Sequence, residues 1–175
     1  MRTFARLTAA ILAGLLLAAC GEGDPAGSDT TATDRTAILA AAAANRVLIE
    51  NSFGGEAPFV TVDVVEVVGR ADEGGSILFD GGVVLDAADK EVITAALAPL
   101  TVRFVPTTIT VDGPTPTPGR AVLSLSEPVT DSEMWTITTG LWCGDLCAIG
   151  GANEISHGSE GEWVIGAPVG PQWIA

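Results

Sequence analysis

The chain is 175 residues long and acidic, with 22 acidic and 8 basic side chains and a formal net charge of −14. So few cations exclude a phosphate-binding stripe for nucleic acid, and they exclude electrostatic docking on an anionic membrane surface. A hydrophobic content of 47% excludes a wholly disordered acidic chain. The length fits one domain, with or without a processed leader and a tether.

The first residues are organised like an export signal. Two cations, Arg2 and Arg6, precede the uncharged apolar stretch from Leu7 to Ala19. That stretch is shorter than the about 20 residues that a membrane-crossing helix needs, but it suits the apolar region of a signal peptide. It ends in Leu17-Ala18-Ala19-Cys20, which resembles the lipobox of bacterial lipoprotein precursors.

The lipobox resemblance implies a lipid anchor. Residues 1–19 are then a signal peptide that is removed, Cys20 carries a diacylglycerol on its sulfur, and the new amino terminus is acylated, for example with palmitate. Two or more acyl chains hold a protein stably on a membrane, whereas one chain does not. The alternatives are an ordinary secretory signal that happens to precede a cysteine, or an uncleaved helix.

The same resemblance predicts a location in the cell envelope. Removal of residues 1–19 leaves six basic against 22 acidic side chains on 156 residues, a net charge of −16. Because Gly21 rather than aspartate follows Cys20, the resemblance implies the outer membrane in a cell with two membranes. In a cell with one membrane, it implies the outer face of the cell membrane. The predicted partners are the membrane, through the anchor, and an unidentified envelope protein or small ligand, with no nucleic acid.

Residues 20–34 are predicted to form the lipidated cysteine and a flexible tether, because residues 21–34 contain no large apolar side chain. Asp34 is the predicted N-cap of a helix that runs to about Asn51. A second helix is predicted from a cap at Asp86 or Asp89 to about Ala98. Their apolar stripes are Ile38, Leu39, Ala42, Val47 and Leu48 in the first helix, and Val92, Ile93, Ala96 and Leu97 in the second.

The remaining pattern predicts a single α+β domain over residues 35–175, with two helices and a mainly antiparallel sheet. After Phe59, valines alternate with polar residues and then change parity near Val65, which predicts a bulge or a strand buried on both faces. Ile77 to Leu85 is predicted to be a hairpin that turns at Asp80-Gly81-Gly82. The other predicted elements are strands at Thr101–Val111 (interrupted at Pro106), Ala121–Leu125, Trp135–Thr139, Asn153–Ser156 and Glu162–Ile165, and a polyproline-type loop over 112–119.

Cys143 and Cys147 form an even pair once Cys20 is set aside, and an oxidising compartment predicts a disulfide between them. Gly144 allows the chain to fold tightly enough for the two sulfurs to meet. Two alternatives are a redox-active dithiol, which usually has two intervening residues, and a copper site with His157. Neither fits the spacing well, so no metal and no cofactor is predicted.

The last part of the chain has a second resemblance, carried by Trp142-Cys143-Gly144, Cys147, Gly150-Gly151, Trp163-Val164 and Trp173. This order is similar to the carboxy-terminal segment of a set of uncharacterised secreted bacterial proteins and lipoproteins. The resemblance implies a Cys-Gly loop between two strands and a late Trp-Val strand that closes the sheet, with no known activity. Among the four tryptophans, Trp135 and Trp163 are predicted to pack in the core, whereas core packing and contact with a partner are both left open for Trp142 and Trp173, which lie beside a turn and the terminus.

Catalytic patterns are weak. His157 lies between Ser156 and Ser159, but the glycine pattern of a nucleophile elbow is incomplete, so the segment is interpreted as a hairpin loop. No catalytic residue is therefore assigned. The preferred hypothesis is a non-enzymatic, lipid-anchored envelope protein whose domain binds a protein or ligand. The alternative is a small envelope hydrolase, or a thiol or copper redox protein, that uses His157 or the Cys143/Cys147 pair.

Overall fold

The computed structural model describes residues 31–54, 58–107, 118–131, 134–144 and 147–174. The predicted signal peptide, Cys20, most of the predicted tether and the 112–117 part of the proline-rich loop lie outside the described residues. The elements in chain order are α1 (Ala32–Ala44), a π-helical turn (Asn45–Ile49), β1 (Thr61–Val65), β2 (Val67–Ala71), β3 (Ile77–Val84), α2 (Ala87–Ala96), β4 (Thr101–Val105), β5 (Arg120–Leu125), β6 (Val129–Asp131), β7 (Met134–Gly144), β8 (Cys147–His157) and β9 (Trp163–Ile174).

Both predicted helices are present, and their caps explain where they begin. Thr31 caps α1, because its hydroxyl accepts a hydrogen bond from the Asp34 amide at 3.2 Å. The prediction of Asp34 as the N-cap is therefore wrong, and Asp34 lies in the first turn instead. Of the two caps proposed for α2, the structure selects Asp86, which exchanges hydrogen bonds with Asp89 in a capping box.

The first helix changes its winding before it ends. After Ala44 it continues as the π-helical turn, and the Glu50 amide donates to the Asn45 carbonyl five residues earlier at 2.8 Å. The Asn51 side chain donates to the Val47 carbonyl at 2.7 Å and so satisfies one acceptor at the open helix end. Helical structure thus reaches Ile49, two residues short of the predicted end.

The main sheet is mixed rather than mainly antiparallel. Its strand order is β4-β1-β5-β7-β8-β9, with β6 paired to β7. β1 is parallel to both β4 and β5, whereas the pairs from β5 through β9 are antiparallel. The chain leaves β1 through β2, β3 and α2 before it returns as β4, and a long crossover of this kind brings strands back in parallel. The α+β class with two helices is confirmed, and the predicted antiparallel pairing holds for the carboxy-terminal strands.

The two helices cover one face of the main sheet. Apolar side chains of α1 and α2 pack there against alternate residues of β1, β5, β7 and β8, and the buried members are at most 5% exposed. The principal members are Ile38, Leu39, Val47, Val62, Val64, Ile93, Leu97, Leu123, Leu125, Ile137, Leu141 and Ile155. Complete burial of such a side chain contributes about 1.5–3 kcal/mol, so this layer is the main source of stability.

The opposite face of the sheet carries a smaller apolar cluster. Val65, Val122, Trp142 and Ala148 are buried there, and Phe79 of β3 and Trp173 of β9 pack against them. The β2–β3 pair forms a separate two-stranded sheet that lies on this side. The two faces of β1 are therefore both covered, and the buried run from Val62 to Val65 confirms the prediction of a strand buried on both sides.

The parity change after Val65 marks a change of sheet rather than a bulge. Strand β1 ends at Val65, Glu66 is bent, and β2 begins at Val67. The Glu66 amide donates to the Val105 carbonyl, and the Glu66 carbonyl accepts from the Leu85 amide, each at 2.8 Å. Glu66 therefore links the end of the main sheet to the base of the β2–β3 hairpin.

That hairpin turns at a different place from the one predicted. The Asp72 carboxylate accepts hydrogen bonds from the amides of Gly74 and Ser76, at 2.9 and 2.8 Å, and closes the turn between β2 and β3. Asp80-Gly81-Gly82 lies inside β3, where Gly81 has φ +72° and the pairing with β2 shifts its register. The predicted turn is wrong because the glycines accommodate an irregularity within a strand.

Candidate functional site

The two cysteines close the tip of the β7–β8 hairpin. A disulfide joins Cys143 to Cys147, with their Cα atoms 5.1 Å apart, and Gly144 beside it has φ +142°. Gly144 pairs with Cys147 at the end of the ladder. The predicted disulfide is confirmed. In this bonded form neither sulfur is a thiolate, which is the form that attacks a substrate or binds a metal.

The disulfide is expected to stabilise the domain modestly, because it closes a loop of only five residues. Loop-closure entropy for that length corresponds to about 2 kcal/mol. Replacing both Cys143 and Cys147 with serine should therefore lower the free energy of unfolding in urea by about 2 kcal/mol, with the slope nearly unchanged. Reductant should destabilise the parent protein by a similar amount and leave the double variant unaffected. Equal stability of the parent with and without reductant would contradict the expectation.

Trp142 and Trp173 lie on the same face of the sheet, opposite the helices. Trp142 is the better buried, with 8% of its surface exposed. Trp173 is half-buried, and its indole crosses the sheet over Gly150 and Gly140, where a side chain on Gly150 would collide with the ring. Its Nε1 donates to the Gly75 carbonyl in the hairpin turn at 3.2 Å. Partner contact at these two tryptophans remains a prediction, with more accessible surface on Trp173.

The other two tryptophans pack against the main core, as predicted. Trp163, at the start of β9, also stacks on His157, with ring centroids 3.8 Å apart and planes inclined by 34°. In the tautomer protonated at Nδ1, His157 donates to the Gly161 carbonyl at 3.3 Å. The segment after His157 forms the turn between β8 and β9, which confirms the interpretation of this segment as a hairpin loop.

Asp34 is the acidic residue that interacts electrostatically with His157. Among the described hydrogen bonds, His157 bonds to the Gly161 carbonyl and not to Ser156 or Ser159, as a hydrolase would require. The Thr31 hydroxyl donates a hydrogen bond to the Asp34 carboxylate and lowers the pKa of Asp34, and burial opposes this shift. Ser156 and Ser159 are both exposed.

A charged cluster that was not predicted from the sequence lies on the sheet face opposite the helices. Asp63 of β1 is flanked by Arg103 of β4 and Arg120 of β5. The Asp63 side chain is 4% exposed, and Arg120 Nη2 donates a hydrogen bond to its Oδ2. Arg103 Nε lies 3.3 Å from Oδ1, close enough for an ion pair but without hydrogen-bond geometry. The only sequence signal was an aspartate within an otherwise valine-rich strand.

A second buried polar group connects the π-helical turn to the sheet. Arg46 is 1% exposed, and its Nε donates to Thr139 Oγ1 at 2.7 Å and its Nη2 to Asn153 Oδ1 at 3.1 Å. Its Nη1 donates to the Glu50 carbonyl at 3.2 Å and lies 3.9 Å from the Glu50 carboxylate. Burial lowers the pKa of Arg46, and the Glu50 charge opposes that shift. These contacts satisfy the guanidinium within the fold.

Comparison of the chain with protein-family models, curated proteins and solved structures found no match. In the parts of the chain that the structure describes, no group of three or more His, Cys, Asp and Glu side chains is placed to hold a metal ion. Within the same residues, no helix is both long enough and apolar enough to cross a membrane.

Proposed function

We propose that the protein is a lipid-anchored, extracytoplasmic envelope protein whose α+β domain binds a partner or ligand. The observation that carries the anchor is the run Leu17-Ala18-Ala19-Cys20 after a charged start and an uncharged apolar stretch. The Cys143–Cys147 disulfide supports the same location, because disulfides persist in oxidising compartments and are rare in the cytosol. The first capped helical turn, at Thr31, lies shortly after the proposed anchor.

The contacts of the chemistry-bearing side chains favour binding over the catalytic alternative. The two thiols on which redox or copper chemistry would depend are bonded to each other. His157 stacks on Trp163 and bonds to a backbone carbonyl in a tight turn, which fixes the ring as part of the hairpin. The sheet face opposite the helices, by contrast, presents the exposed guanidinium of Arg103 and the half-buried indole of Trp173 to the surroundings.

The anchor is tested by replacing Cys20 with serine. Without the sulfur that accepts the lipid, the chain should be released from the membrane fraction or accumulate as an uncleaved precursor. The size of the product and its partition into a detergent phase provide the measurement. The matched control replaces Cys143 and Cys147 with serine, which makes the same chemical change twice but keeps Cys20, and this variant should stay in the membrane fraction. Membrane retention of a processed Cys20→Ser protein would overturn the anchor.

A further inference from the structure

The cluster of Asp63, Arg103 and Arg120 is formed by three adjacent strands. Asp63 pairs directly with Arg103 across the β1–β4 ladder, and Arg120 enters from the β5 side. Neighbouring strands are about 4.8 Å apart, so residues of β4 and β5 lie about 10 Å apart across β1. Two guanidinium groups therefore converge on one carboxylate from opposite sides, on a face that the helices do not cover.

The cluster has an excess of positive charge, unlike the other ion pairs among the residues that the structure describes. Arg35 contacts two carboxylates, those of Asp89 and Glu127, and Lys90 contacts that of Glu66. Arg103 and Arg120, in contrast, share a single carboxylate. One carboxylate between two guanidinium groups leaves a local charge of +1 in a chain whose total is −14.

The two arginines also retain hydrogen-bond donors. A guanidinium has five N–H donors in a fixed plane. Asp63 faces only Nε of Arg103 and Nη2 of Arg120, and no other described ion pair involves either arginine. The Arg103 side chain is 53% exposed, whereas Asp63 is almost completely buried beneath it. The buried carboxylate thus contacts both guanidinium groups, and no described ion pair uses the Nη atoms of the exposed Arg103 side chain.

We propose that Arg103 and Arg120 bind the carboxylate of a small ligand, with Asp63 as the residue that positions them. This site rests on the proposed ligand-binding function and names its ligand class. A guanidinium fork matches a carboxylate in a planar, two-bond arrangement. One carboxylate also neutralises the local charge of +1, whereas a phosphate dianion would leave it negative in an already acidic domain.

Next to the site, the same face of the sheet carries apolar residues that the fold already covers. Val122, which pairs with Asp63 on the β5 side, is followed across the sheet by Trp142. Both belong to the apolar cluster on this face, on which Phe79 of the β2–β3 hairpin packs, and they are only 6% and 8% exposed, so a ligand would be held through its carboxylate rather than through an apolar part. Thr101, two residues before Arg103 on β4, is exposed on the same face and offers a hydroxyl at the rim.

The test is a titration of the full chain, purified in a non-ionic detergent, with acetate and butyrate at constant ionic strength. Proton–nitrogen correlation spectra that include the arginine Nε–Hε signals provide the readout. The signals of Arg103 and Arg120 should shift saturably, with acetate and butyrate of similar affinity and inorganic phosphate weaker than both. Arg103→Gln should weaken butyrate binding by about tenfold, because it removes the exposed fork.

The matched control is Arg70→Gln, which removes the same charge from an exposed position on β2. This variant should change the affinity for butyrate by less than about twofold, since Arg70 does not contact Asp63 in the cluster and solvent screens an exposed charge. Non-saturating shifts in the parent protein, or equal losses in the two variants, would overturn the carboxylate site. Neither result bears on the lipid anchor, which the Cys20→Ser fractionation tests separately.

Discussion

Replacing Arg46 with methionine should lower the free energy of unfolding by about 3–5 kcal/mol. Methionine fills a similar length but has no donor, so Thr139 Oγ1, Asn153 Oδ1 and the Glu50 carbonyl would each lose the bond that Arg46 gives them. Removing one member of a buried polar network leaves the other members without water or partners, and that desolvation dominates the cost. Urea unfolding of the full chain, with near-parallel slopes for parent and variant, provides the measurement.

Two further variants separate the loss of hydrogen bonds from the loss of charge. Glu50→Gln removes the carboxylate, but its side-chain oxygen can still accept from Asn153 Nδ2, which now donates to Glu50 Oε2 at 3.2 Å. Because the Glu50 side chain is 34% exposed and 3.9 Å from the guanidinium, this variant should cost less than about 1 kcal/mol. Adding Thr139→Val and Asn153→Leu to Arg46→Met should recover part of the lost free energy of unfolding. The two additional changes remove the buried polar atoms that Arg46→Met leaves without a hydrogen bond from Arg46. A cost below 1 kcal/mol for Arg46→Met alone would refute the proposed role of the network.

The elements that local chemistry determines were predictable from the sequence. Ile38, Leu39, Ala42 and Val47 are buried as their helical spacing predicts, and the α2 cap lies at one of the two aspartates proposed. The prediction is wrong for Val92 of the α2 stripe, which is exposed, and Leu48 is only half-buried. The disulfide could be inferred because the two cysteines are four positions apart and Gly144 lies between them. In each case the interacting residues are close in sequence, so spacing alone limits the number of arrangements.

The long-range arrangements were not predictable, because they depend on strand order and register. Arg120 and Asp63 are 57 positions apart, and Arg46 and Asn153 are 107 positions apart. Alternation within β1 predicts which residues share a face, but it does not indicate that β4 and β5 flank that strand in parallel. Asp63 within a valine run, and Arg46 within an alanine-rich helix, were the only local signs that charged groups would be buried.

The burial of Trp142 and Trp173 was also not predictable from the sequence alone. Trp142 lies beside the hairpin tip, which favours exposure when the sequence is considered alone. In the folded chain it is covered from above by the β2–β3 hairpin, whose Phe79 packs on the same cluster. Trp173, close to the described end of the chain, is held by the glycine pair Gly140 and Gly150 across two other strands. Burial of both rings is set by elements that are distant in sequence.

The second large effect is expected at Asp89, which holds the two helices together. Its Oδ1 accepts from the Thr36 hydroxyl at 2.6 Å and its Oδ2 from Arg35 Nη1 at 2.7 Å, and it completes the α2 capping box with Asp86. The Asp89 side chain is 2% exposed. Asp89→Asn keeps the shape but turns an amide N–H₂ group toward donors, so the free energy of unfolding at neutral pH should fall by about 3 kcal/mol. Arg35 keeps its paired bonds to Glu127, which limits the loss.

The lowered pKa of Asp89 also leads us to expect a specific dependence of the free energy of unfolding on pH. Burial by itself raises the pKa of Asp89, but hydrogen bonds from Thr36 and Arg35 and the Arg35 charge outweigh it and hold the pKa below its usual value. A carboxyl whose pKa is lower in the folded state stabilises the fold above the unfolded pKa of about 3.9, and it loses this contribution as the pH falls below that value. The parent protein should therefore lose more stability between pH 6 and pH 3 than Asp89→Asn does, and the two curves should converge in acid.

Asp86→Asn is the matched control, because it makes the same chemical change three residues earlier at an exposed N-cap. Asparagine caps a helix about as well as aspartate, so this variant should stay within about 0.5 kcal/mol of the parent at neutral pH. Its stability curve should run parallel to that of the parent on acidification, since the buried contacts of Asp89 with Arg35 and Thr36 remain. Equal neutral-pH losses in the two variants would assign the effect to helix capping alone. If the free energies of unfolding of the parent and of Asp89→Asn fell in parallel on acidification, protonation of Asp89 would contribute nothing to acid unfolding.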